Sequence, residues 1–382
     1  MGLSMEVTAG TSVSKTANSP ERRQNVRVAL YSKSVSRATL RLIALAQQVS
    51  CDMEAGEGVA WWDLDHARSI LIGDYLIGLT ESVEANLTQA AMPLARAREL
   101  WTADSFATST SMRIASARGQ GIPGKPSEND SNRRVEANGH VAGFFRASGS
   151  ALDNVGGIVV GIVGLKAPIV QASWTHLKLS KVLPTGPAPE GAGRDLQVAV
   201  VDAVRAALTT GPDGWSEWTV DLRHTLVHRA SRLAMFISDP RQPDGFLRPL
   251  PLHPAQTQAE SMARTGKLGL DVVPEHGADT MDTILNCLIE VVSDTAASCV
   301  SAWQARRESP DLILQPLQQW PRLAQGREST FGGARPVKLP KMAQGTMMMN
   351  PTTLARLKAA QLLDSDRSTW KEWFATDLNQ NP

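Results

Sequence analysis

One stretch of this sequence gathers the groups needed to handle a phosphodiester. Trp218–Leu233 reads WTVDLRHTLVHRASRL, and from Arg223 to Arg232 it holds Arg223, His224, His228, Arg229 and Arg232 with no acid among them. In a chain with a formal net charge of +1 this is the richest local cluster of basic groups. Such a cluster suits a phosphate or a polynucleotide backbone, because guanidinium groups replace the counterions that phosphates otherwise hold. A solvated helix face balanced by acids elsewhere would have the same composition.

Spacing narrows the chemistry. On a helix, His224 and His228 lie one turn apart on a shared face, with Arg223 displaced to its side and Asp221 one turn before His224. A guanidinium beside an imidazole can hold a phosphodiester while the imidazole moves a proton near neutral pH. Two histidines one turn apart are also a recurrent zinc pair, with Asp221 as a third ligand. The glutamate of a HExxH site is absent, since Thr225 follows the first histidine. We expect neither a metal nor a cofactor.

Arg223-His224-Thr225-Leu226-Val227-His228 resembles the Arg-polar-x-x-x-His signature of HEPN (higher eukaryotes and prokaryotes nucleotide-binding) domains. These are helical bundles, many of them metal-independent ribonucleases of toxin–antitoxin, CRISPR and phage-defence systems. The resemblance implies that Arg223 and His228 are the catalytic pair and that His224 is the supporting polar residue. Arg229 and Arg232 would bind the substrate backbone. It further implies a homodimer in which two copies of the motif form one cleft, and a partner such as an antitoxin or a defence complex. The implied reaction is attack of an RNA 2′-hydroxyl on the adjacent phosphate, leaving a cyclic phosphate and a 5′-hydroxyl. The second reading is a non-catalytic helical module that binds RNA, a nucleotide or a protein.

The same spacing recurs at Arg248–His253, RPLPLH, but Pro249 and Pro251 are incompatible with a helix there. Asp153-Asn154 heads a glycine-bearing apolar segment, where a helix N-cap or a carboxylate near the bundle interior are the two roles open to it. Trp61, Trp62, Trp215, Trp218, Trp370 and Trp373 suit core or interface packing better than base stacking. Met347-Met348-Met349 can form an adaptable contact surface. No P-loop, nucleophile elbow or dinucleotide glycine fingerprint occurs.

The elements that must position the cluster read as helices. Apolar residues at helical spacing mark Ser36–Val49 and a longer run from Asp63 to Trp101, which Pro93 should kink or divide. Residues 106–148 are polar and contain GQGIPGKPSENDSNRR, so a loop or linker is expected. Ser150–Ser180 reads as a helix with Gly157 and Gly161 on one face, although its Val and Ile content suits a strand too. Asp195–Leu208 follows, then the turn Gly211–Gly214, then a helix capped by Ser216 that runs through the motif to about Phe236. Pro240–Pro254 should be irregular. Asp279–Arg306 is the clearest helix, with Ile284, Leu288, Val291, Val292, Thr295, Cys299 and Trp303 recurring at three- and four-residue steps.

The expected fold is all-α: a helical bundle with long irregular loops. Its divisions are a flexible tail (1–34), N-terminal helices (35–105), the polar linker (106–148), a HEPN-like bundle (149–308), an irregular segment (309–349) and a C-terminal helix opened by Asn350-Pro351 (350–382). Of 382 residues, 42% are hydrophobic and 20% charged, which fits neither a disordered chain nor a membrane protein. Cys51, Cys287 and Cys299 are widely spaced with no CxxC pair, which fits a reducing cytoplasm. The N-terminus has no apolar core of signal-peptide length, and Glu6 replaces the hydroxyl of a myristoylation signal. Val155–Val170 is too short to cross a bilayer and contains Lys166 and Pro168, so no membrane association is expected.

Overall fold

The computed structural model describes residues 20–55, 66–120, 125–165, 169, 172–178, 192–228, 237–238, 246–254, 260, 263 and 271–309. Within them the fold is all-α. The helices are α1 (Pro20–Ala55), α2 (His66–Ala117), α3 (Glu128–Val163), α4 (Trp174–Lys178), α5 (Ala192–Leu208), α6 (Trp215–His228) and α7 (Gly277–Glu308). Two short strands, β1 (Ile237–Ser238) and β2 (Phe246–Leu247), pair antiparallel between α6 and α7. The expected irregular segment 309–349 and C-terminal helix lie outside the described residues beyond Ser309, as do Trp61, Trp62, Trp370, Trp373 and Met347–Met349.

The expected flexible tail (1–34) and polar linker (106–148) are corrected. Residues 20–34 belong to α1, with Pro20 at its first position, where the missing N–H costs nothing. No glycine or proline interrupts the arginines, alanine and leucine that follow, so nothing stops the helix before Ser34. Most of 106–148 is helical: α2 runs on to Ala117 and α3 starts at Glu128. Polar residues there occupy the outer faces of a long antiparallel hairpin, while Ala115, Ala137 and Val141 face inward. Ser127 caps α3, its hydroxyl accepting the Asp130 N–H, and Glu128 and Asp130 add favourable charge in the first turn. Gly119, at φ 70°, takes the left-handed conformation that turns the chain after α2.

Cross-hairpin pairs fix the register: Leu76 meets Gly161, Leu79 meets Gly157, Pro93 meets Gly143, and Arg96 pairs with Glu136. Pro93 lies within α2, which continues as one helix across it. As the sequence suggested, Gly157 and Gly161 permit close packing: a Cβ at Gly161 would sit 2.5 Å from Leu76 Cδ2 and 2.6 Å from Ile169 Cδ1. The expected helix over 150–180 instead belongs to α3 and ends at Val163, where Gly164 adopts φ 68°.

Buried residues of α1, α2, α3, α5, α6 and α7 form one hydrophobic core, so the separate N-terminal and C-terminal units expected at 35–105 and 149–308 are packed together. Helix α7 is its central rod; Leu285, Leu288, Val291, Ala296, Cys299 and Ala302 are completely covered. Each large apolar side chain so buried contributes about 1.5–3 kcal/mol. By length and composition α7 would also be long enough to cross a membrane, a test that core helices pass as well, and half of its most apolar window is buried here.

Polar ties join the helices at their ends. Arg306 of α7 donates to the Ile162 carbonyl at 2.7 Å, and Gln197 of α5 donates to Val163 and Gly164, closing the C-terminus of α3. Burial lowers the Arg306 pKa to about 10. Asp52 of α1 accepts from Trp303 Nε1 at 2.8 Å and from Arg307 at 3.0 Å. Asp104 of α2, only 2% exposed, pairs with Arg134 of α3 and with buried Arg248. Desolvation lowers the Arg248 pKa, against the opposing pull of Asp104.

Candidate functional site

Helix α6 starts at a tight turn. Gly211 (φ 106°) and Gly214 (φ 69°) take conformations closed to ordinary side chains, and the Trp215 N–H bonds the Pro212 carbonyl. Ser216 does not cap the helix, because the Gly211–Gly214 turn already delivers the chain at Trp215; its hydroxyl donates to Glu217 instead. Helical spacing then turns Trp215, Thr219 and Leu222 inward and leaves Asp221, His224 and Val227 exposed.

Two sets of contacts seat α6. Phe145 of α3 meets Trp218 edge-on with ring centroids 5.6 Å apart, and Gly149 meets Arg223 one turn further along both helices. The order is the same in each helix, so α3 and α6 run parallel. On the other side, Trp218 Nε1 donates to Pro251 O at 3.0 Å and Thr225 Oγ1 to Pro254 O at 2.9 Å. The proline-rich segment 248–254 is thereby strapped against α6. It is not helical, as Pro249 and Pro251 require; Arg248 sits in the Asp104 ion pair, and His253 lies 3.8 Å from Asp271.

Arg223 and His224 are therefore helical neighbours with different surroundings. The Arg223 side chain, 27% exposed, lies along α3 and donates from Nη1 to Asp153 Oδ2 at 2.7 Å. His224 is exposed. His228 is the last described residue of α6, one turn beyond His224, but its side chain is outside the description; Arg229 and Arg232 lie wholly outside the described residues. No group of three metal-binding side chains occurs among the described residues.

Sequence reasoning missed the part played by α3. Asp153 lies in the middle of α3, not at a helix start, because the helix begins 25 residues before it, at Glu128. Its second oxygen accepts the backbone N–H of Trp174, the first residue of α4, at 3.3 Å. One carboxylate thus ties α3 to both α4 and α6. Exposed Arg146 stands two turns before Asp153 on the same face of α3. The Asp153–Asn154 pair was visible in the sequence, but nothing in it linked position 153 to position 223, seventy residues away.

Chemically, this surface combines an oriented guanidinium, an exposed imidazole and a further exposed arginine. Arg223 can place planar donors against phosphate oxygens, while His224, the next residue, leaves α6 on a more exposed side. A shallow concavity of about 390 Å³ lies at the α5–α6 turn, lined by residues including Arg205, Asp213, Ser216 and Glu217, and includes neither Arg223 nor His224. No family model, no characterised protein sequence and no solved structure matches this chain.

Proposed function

We propose that this chain is a metal-independent endoribonuclease of the HEPN type. It acts in the cytoplasm as a homodimer, in a toxin or phage-defence role governed by a neutralising or defence-complex partner. The observation that carries the reading is the setting of Arg223: a partly exposed guanidinium on a helix, oriented by a carboxylate from α3. An exposed imidazole follows it in the chain, and a second histidine lies one turn further on.

In this reading Arg223 stabilises the extra negative charge on the phosphorane-like transition state, where a desolvated charged donor acts most strongly. His228 is the general acid or base. The 2′-hydroxyl loses its proton to a base as its oxygen attacks phosphorus. The phosphorus–O5′ bond then breaks, and the departing O5′ gains a proton. His224 supports the pair, while Arg229 and Arg232 bind flanking phosphates.

A second reading takes the Asp153–Arg223 ion pair as purely structural. A neutralised guanidinium that staples α6 to α3 suits a non-catalytic module binding RNA, a nucleotide or a protein. Cleavage of labelled RNA in the presence of a chelator separates the two. The nuclease reading expects Arg223→Ala to slow cleavage by about 10²–10³-fold and His228→Ala by about 10²–10⁴-fold, with helical content retained. RNA bound but uncut by the wild-type chain establishes the binding module instead.

A further inference from the structure

We infer that Asp153 is the positioning residue for Arg223, and that Gly149 and Gly156 are notches cut into α3 for the two groups Asp153 holds. The inference rests on the nuclease reading of the Arg223 site and deepens it.

The geometry is a single face of one helix. Gly149 lies four residues before Asp153 and Gly156 three residues after it, so all three share that face, one turn apart. A Cβ on Gly149 would stand 2.5 Å from Arg223 Cδ, 3.1 Å from Nη1 and 3.3 Å from Nε. The arginine therefore occupies the space that any other residue at 149 would fill. At the other notch, a Cβ on Gly156 would stand 2.6 Å from the Ser173 carbonyl carbon and 2.7 Å from the Trp174 nitrogen. Those are backbone atoms, which cannot rotate aside. Between the notches, Asp153 accepts from Arg223 with one oxygen and from the Trp174 N–H with the other.

A long, flexible arginine has many rotamers, and ordering it costs side-chain entropy when it must meet a transition state. Here that ordering is done in advance: the Gly149 slot fixes the stem and Asp153 fixes one nitrogen. Trp174 is buried against the same face, so the orientation of the Asp153 carboxylate is itself held by the start of α4. Asp153 touches no substrate in this arrangement. It acts through Arg223, and misplacing a catalytic group by about 1 Å can cost on the order of 10²-fold in rate.

The test measures RNA cleavage by the full chain carrying Asp153→Ala, Asp153→Asn or Arg223→Ala, with and without added formate. Circular dichroism and melting are recorded for each variant. Because Asp153 is partly exposed, formate can enter the space left by Asp153→Ala. We expect Asp153→Ala to lower kcat by about 10–10²-fold with KM changed by about twofold or less. Formate should restore much of that loss, while Arg223→Ala is inactive with or without it. Asp153→Asn should fall between wild type and Asp153→Ala. Full activity of a folded Asp153→Ala variant, with Arg223→Ala inactive, overturns the positioning role and leaves the nuclease reading standing. Lost activity that formate does not restore, or that tracks lost helicity, reduces Asp153 to a structural staple and also overturns it. A wild-type chain that does not cut RNA, or an Arg223→Ala variant that cuts normally, overturns the nuclease reading and this inference with it.

Discussion

The seam between α2 and α3 supports the helix that carries Asp153, and a matched pair of glycine substitutions probes it. In Gly161→Ala the new methyl would lie 2.5 Å from Leu76 Cδ2, 2.6 Å from Ile169 Cδ1 and 3.2 Å from Leu76 Cγ. Carbon atoms rest about 3.5–4.0 Å apart, so both neighbours must retreat by about 1 Å. Leu76 and Ile169 are 2% and 1% exposed, which leaves them little room. Overpacking of this kind costs about 1–3 kcal/mol. Alanine's better helix propensity returns about 1 kcal/mol, for a net destabilisation of about 1 kcal/mol. Gly139 lies on the exposed side of the same helix with nothing within 4 Å of a Cβ, so Gly139→Ala receives the propensity gain alone. Urea unfolding followed by far-ultraviolet circular dichroism should place the two variants on opposite sides of wild type, about 2 kcal/mol apart. Equal stability of the two, or a more stable Gly161→Ala, would refute the packing assigned to this seam.

Two further predictions concern buried ionisable groups. Removing Asp104 leaves Arg248 buried without its carboxylate, and Arg248 is only 4% exposed. Asp104→Ala should therefore lose about 3–5 kcal/mol in denaturant unfolding; a loss below about 1 kcal/mol, the level of a surface pair, would contradict the buried Asp104–Arg248 pair. Burial pushes the Cys299 thiol from its ordinary 9.0 up to about 12. A raised pKa means the folded chain keeps a proton that the unfolded chain releases, so stability is fully present below 9 and is lost as pH rises towards 12. Arg306, lowered to about 10, works in the opposite sense, its burial penalty easing only above that pH. Between pH 9 and 10 the wild-type chain should lose about 1 kcal/mol relative to Cys299→Ala. Parallel pH dependence in the two proteins would show that Cys299 titrates normally.

How much of this was legible beforehand follows from which forces are local. Apolar recurrence at three and four residues marked α7 almost to its ends, because a helix with one face in the core records that face in its own sequence. The turn Gly211–Gly214 and the non-helical Arg248–His253 were equally readable, since glycine and proline act through the local backbone. The α2–α3 hairpin was not. Its outer turns are polar because they face water, and a polar helix reads like a loop until its inward residues, Ala115, Ala137 and Val141, are matched with partners far away in the chain. The same holds for Asp153. Its meaning is set by Arg223 and Trp174, which no spacing rule connects to it.

The central claim is that Arg223 and His228 perform phosphodiester cleavage, and the ends of the cut RNA test it most directly. Full-length protein is incubated with a defined single-stranded RNA in chelator, and the product termini are identified by mass spectrometry. The proposal predicts 2′,3′-cyclic phosphate and 5′-hydroxyl ends from the wild-type chain, and intact RNA from folded Arg223→Ala and His228→Ala variants. Intact RNA with the wild-type chain, or the same ends and rate from both variants, would contradict it.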